Sequence, residues 1–104
     1  PILGHTLAER QRAAQRIDQI IAGVKHKIED DRKEIRFFDH LFDEVAKAME
    51  PIEFPNWVIE GNCNDKLCSV GHWANKTKSL EEEEIKNLEV VINQLNKLKA
   101  LLLR

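Results

Sequence analysis

Cysteine is scarce in this sequence. There are two in 104 residues, too few for the disulfide lattice of a small secreted scaffold. No apolar run approaches the ~20 residues that a bilayer-spanning helix needs, so membrane insertion is not expected. No charged-then-apolar leader opens the chain. It begins at Pro1 without methionine, which reads as processing or as excision from something longer. The expected compartment is the cytoplasm, with export left open because Asn75-Lys76-Thr77 has the form of a glycosylation sequon. Positive charge is nowhere concentrated: 16 basic residues are scattered among 18 acidic ones, for a net charge of −2. Nucleic-acid binders carry a basic patch or stripe, so no nucleic-acid partner is expected. The chain also lacks a glycine-rich phosphate loop and any motif that pairs a nucleophile with a base. It reads as a non-enzyme.

At 104 residues the chain is one domain at most. A domain of this size buries a modest share of its surface, so a metal, a disulfide or a partner subunit matters to its stability.

Between Thr6 and Glu50 there is no proline and one glycine, Gly23. Thr6-Leu7-Ala8-Glu9 has the form of a capping box, in which the hydroxyl accepts a free N–H at the third helical position. Apolar residues then recur at Ile17, Ile20/Ile21, Val24, Ile28, Ile35, Phe38, Leu41/Phe42 and Val45. Spacings of three and four over so many turns predict one amphipathic helix over residues 6–50, about 65 Å long and stopped by Pro51. Asp30-Asp31-Arg32-Lys33-Glu34 interrupts the stripe. Asp31 and Glu34 have the form of a new cap and capping residue, which would break the helix. The absence of Gly or Pro favours a continuous helix that is locally exposed.

Residues 51–78 differ in composition. Ile52, Phe54, Trp57, Val58 and Ile59 have no helical period and are expected to fold over the end of the hairpin. Asn64 or Asp65 is placed to cap a short helix over 65–75, with Leu67, Val70 and Ala74 inward, although Gly71 weakens it. A second long helix is expected over 79–103. It would open on Ser79-Leu80-Glu81-Glu82, crowd carboxylates against its positive end, and place Lys97, Lys99 and Arg104 at the other. Its stripe runs Ile85, Leu88, Val91/Ile92, Leu95, Leu98 and Leu101/Leu102, close to a heptad seam.

These elements predict an all-α fold, a long antiparallel helical hairpin with an irregular connector. The second helix would span roughly half of the first. Residues 13–28 would then be left in water, and self-association through Ala13, Ala14, Ile17, Ile20, Ile21, Val24 and Ile28 would cover them. Leu98, Leu101 and Leu102 belong to the same surface, because an exposed Ala100-Leu101-Leu102-Leu103 end is adhesive. The expected partner is a second copy, giving a four-helix bundle or coiled-coil dimer, or another helical protein.

Cys68 and His72 are four apart and share one face if the segment is helical. Cys63 on the preceding loop and His40 on the first helix complete a possible Cys2His2 set, closed and therefore structural, for which zinc is the best fit. The competing reading makes Cys63 and Cys68 small buried hydrophobes or a disulfide across a short loop. His72 would then be a surface residue and His40 a solvated one at the boundary of the first helix.

Cys68-Ser69-Val70-Gly71-His72-Trp73 resembles the C-x-x-G-x-W signature of the chemoreceptor zinc-binding domain, a helical-bundle module of bacterial chemoreceptors and diguanylate cyclases. That family carries a ligand histidine some thirty residues upstream, where this chain has His40. The resemblance implies zinc on His40 and Cys68, with occupancy or cysteine oxidation altering helix packing. The chain departs from the pattern downstream: the family supplies two more histidines four apart, and no histidine follows His72. Leu88, Ile92, Leu95 and Asn96 occupy the corresponding turns. Two functions follow as expectations: a protein–protein interaction or oligomerisation module acting through helix packing, or a zinc- or redox-responsive regulatory domain.

Overall fold

The computed structural model describes residues 4–49, 60, 61 and 66–104. It contains two long helices, α1 (Leu7–Met49) and α2 (Lys66–Leu102), and no strand among the described residues. They form a helical hairpin. The first begins as its sequence predicts: Thr6 Oγ1 accepts the Glu9 N–H at 3.2 Å, and the Thr6 carbonyl accepts the Arg10 N–H at 3.0 Å. Pro51, the apolar cluster of residues 52–59, the proposed caps Asn64 and Asp65, and Cys63 lie outside the described residues.

α2 differs from expectation at its start. The short helix and the second long helix are one element, and Ser79 is not a cap. Its hydroxyl donates to the Asn75 carbonyl at 3.2 Å, one turn earlier in the same helix. A capping box starts a helix only where the preceding residues are not already helical, and Asn75 to Lys78 are. The inward face of the first turns is also displaced by one residue: Cys68, Gly71 and Ala74 are buried, while Leu67 and Val70 are exposed.

Contacts divide the chain into two compact units, residues 1–30 with 85–104 (unit 1) and residues 31–84 (unit 2). Within unit 1, Arg10 Nη1 donates to the carbonyls of Leu102 and Arg104 at 3.3 and 2.9 Å, and Lys99 Nζ meets Asp18 Oδ1 at 2.7 Å. These pairs fix an antiparallel register. The expected overhang of α1 therefore does not exist, because α2 has 37 residues rather than some 25. Ala14, Ile17, Ile21 and Ile28, expected at an interface between molecules, are buried within the chain. Cover is nonetheless incomplete. On α2, Ile85, Leu88, Ile92, Leu95 and Leu102 are only half-buried, and no residue from 85 to 104 is fully enclosed.

Within unit 2, α1 contributes Phe38 and Val45 to the core, and α2 contributes Cys68, Gly71 and Ala74. The small residues recur every three positions, which lets a neighbouring element approach that face closely. Phe38 packs edge-on against Trp73, with ring centroids 5.0 Å apart. Lys78 Nζ meets Asp39 Oδ1 at 2.7 Å, fixing an antiparallel register here as well. The charged stretch at residues 30–34 stays helical, as the absence of Gly or Pro predicts. It is not uniformly exposed, however: Asp31 has no solvent-accessible surface at all.

Candidate functional site

Four locations carry possible function: an apolar groove in unit 1, and in unit 2 the surroundings of Cys68, an acidic cluster and an ion pair.

The groove encloses about 510 Å³. Ala13, Ile17 and Ile20 line it from α1, and Leu98 and Leu102 from α2, with Glu9, Arg12 and Arg16 along its rim. Ile20 and Leu98 keep 46% and 45% of their surface exposed, well above what a seam closed by two helices leaves. Leu101 is exposed as well. The opposite flank of the same unit is polar, with Gln11, Gln15 and Asp18 on α1 and the Lys99–Asp18 pair across it. Unit 1 thus has one greasy flank and one hydrophilic flank. Of the residues predicted to associate, Ile20, Leu98 and Leu101 stand exposed, and Ala13, Val24 and Leu102 are half-buried. The remaining four belong to the core.

Cys68 is 1% exposed and disulfide-bonded. The only other cysteine in the sequence is Cys63. A disulfide sulfur has no thiolate to offer a metal, so in this oxidised form Cys68 does not fit the ligand role that the chemoreceptor resemblance implies. His40 is exposed on α1 and His72 is half-buried on α2. Nearby, Gly61 holds a φ of +78°, and a Cβ added there would lie 2.9 Å from His72 Nε2. The backbone at Gly61 therefore lies directly against the imidazole, a contact that a lone His72 in the sequence does not announce. Asn75 of the sequon is a half-buried position within α2, not part of the open loop that such acceptors favour.

Among the described residues, three potential metal ligands come within 4.8 Å of one another in one place, at Asp31, Glu34 and Glu81. The sequence reading did not single out this set. Asp31 and Glu34 were legible as charges on the core-facing line of α1. Their meeting with Glu81 depends on the register of α2, which the misplaced helix start obscured. Acidic clusters occur commonly without an ion, and this one is recorded as geometry alone.

Lys78 also meets Glu82 Oε1 at 3.9 Å. Its hydrogen bond to Asp39 holds the ammonium above its usual value of 10.5, against the opposing effect of partial burial; the charges of Asp39, Glu82 and Asp43 add to the rise. Among the described residues no helix is long and apolar enough to cross a membrane. Set against protein-family models, curated proteins and solved structures, the chain matches none of them.

Proposed function

We propose that this chain is a non-enzymatic helix–helix association module, a scaffold or adaptor that works through the apolar flank of unit 1. One observation carries the reading: the α2 seam from Ile85 to Leu102 is nowhere fully buried, and its exposed side opens onto the groove bearing Ile20 and Leu98. A two-helix layer covers each helix on one side only. A further helix pair laid on the apolar flank would complete a four-layer core of the kind found in bundles. The salt-bridged flank has no such need.

Sedimentation velocity tests this directly. Wild type should associate, and Ile20→Glu or Leu98→Glu should remove the association while keeping far-UV helicity. Lys99→Gln, on the polar flank, should leave it in place. Monomeric wild-type protein at tens of micromolar, with no helical partner recruited, would reject the proposal.

A second reading, a redox-responsive regulatory domain, draws support from Cys68. Its disulfide lies in the core of unit 2, so opening it would disturb the packing around Gly71 and Ala74. The same bond favours an oxidising compartment over the cytoplasm expected from cysteine scarcity. Zinc would enter this reading only after reduction.

A further inference from the structure

Resting on the association proposed above, we infer that the occupant of the groove is a second copy of this chain, packed about a two-fold axis that passes beside Ala13. On the groove side of α1 the residues Glu9, Ala13, Arg16 and Ile20 follow at spacings of four, three and four, which places them along one face. Ala13 is the smallest of them and allows two helix backbones to approach. Glu9 stands four residues before it and Arg16 three residues after. An antiparallel copy rotated about Ala13 therefore brings its Glu9 to within one residue of Arg16, an offset that these long side chains span. The two-fold makes the opposite pair at the same time, since a C2 interface uses one patch twice. A parallel, in-register copy would instead set Glu9 on Glu9 and Arg16 on Arg16. The groove is thus complementary to itself in one orientation only.

Surface area points the same way. The chain exposes 7508 Å², against roughly 6,000 Å² for a folded monomer of its mass. That excess is larger than the roughly 800 Å² each partner gives up in a standard interface. The side chains concerned are available: Arg16 is exposed, and Glu9, whose other contact is an exposed one with His5 Nδ1 at 3.1 Å, keeps 45% of its side chain in solvent.

A charge-swap experiment on the full chain tests the arrangement. Glu9→Arg alone places two arginines together in each pair, and Arg16→Glu alone places two glutamates together. Each single variant should dimerise at least tenfold more weakly than wild type at low salt. Mixed one to one, they should form a heterodimer, because both pairs then join unlike charges. The double variant Glu9→Arg/Arg16→Glu should recover the homodimer. Circular dichroism on each variant separates loss of pairing from loss of fold. Singles that dimerise as wild type, or a mixture and double variant that stay weak, overturn the two-fold. If Ile20→Glu still abolishes association in that case, the module reading survives and only the geometry fails. A monomeric wild type, with or without a foreign helix in the groove, overturns the second-copy assignment.

Discussion

The ring of Phe38 on α1 meets the indole of Trp73 on α2 edge to face, at 5.0 Å and an interplanar angle of 86°. Phe37 adds a second edge contact to Phe38 at 5.4 Å. Phe38 is the buried member of this group, whereas Phe37 and Trp73 are more than half exposed. Truncating the three should therefore have unequal effects. Phe38→Ala should destabilise by about 3 kcal/mol, as a large-to-small core change. Trp73→Ala should cost about 1 kcal/mol, mainly the aromatic pair and partial burial. Urea unfolding followed by far-UV circular dichroism measures both. Equal losses would mean that Trp73 is more enclosed than this arrangement shows.

Lys78 and Asp39 make a pH-dependent contribution. The folded-state pKa of Lys78 is raised, chiefly by its hydrogen bond to Asp39. Its stabilisation is therefore fully present below the usual lysine value of 10.5 and is lost as pH rises through the folded value. The pair is largely exposed on the Asp39 side, so the effect should be small, about 0.5 kcal/mol after solvent screening. Lys78→Met should lower stability by that amount at pH 7, and the gap between variant and wild type should close above pH 10.5. Denaturant midpoints collected at several pH values give the comparison, and a gap that widens with pH would reverse the assigned sign.

Thr6, Ser79 and Asp31 mark how far the sequence could be read. The cap at Thr6 was legible because nothing helical precedes it, so the local hydrogen bond decides the matter. Ser79 carries the same pattern and fails, because the helix already runs from Lys66 and its hydroxyl turns back onto Asn75. That earlier start was masked by Gly71, a poor helix residue in isolation. Here it is buried in the close-packed Cys68–Gly71–Ala74 face, where tertiary contact outweighs propensity. The hairpin itself was plain from apolar spacing. Asp31 was read as locally exposed because charge at a core-facing position predicts solvent. Its burial beside Glu81 depends on which turn of α2 lies opposite, something no spacing within α1 specifies. The apolar flank of unit 1 was legible in its residues, though the reason first given for it, an unequal pair of helices, was mistaken.

The disulfide at Cys68 separates the regulatory readings. Reductant should lower stability by roughly 2 kcal/mol, the usual scale for losing a short-loop disulfide, and Cys68→Ser should reproduce the loss without reductant. A chelator should leave the oxidised protein's melting temperature unchanged, whereas removal of a structural metal would lower it. Alkylation of unfolded, unreduced protein followed by intact-mass measurement should add no label. Two labels per chain, together with a melting point that falls on chelation, would instead support thiolates held by zinc.

Gly61 offers the most local test. Its φ of +78° lies in the left-handed region, where a side chain carries a penalty of about 1 kcal/mol. A Cβ at this position would also meet His72 Nε2 at 2.9 Å, closer than such contacts occur. Gly61→Ala should therefore cost about 2 kcal/mol, combining backbone strain with displacement of the imidazole. The two contributions can be separated with a double-mutant cycle. Against a His72→Ala background the clash is gone and only the backbone part should remain, so Gly61→Ala should then cost about 1 kcal/mol. Additive losses would show that His72 is not what Gly61 makes room for, and would leave its φ alone as the reason for glycine there.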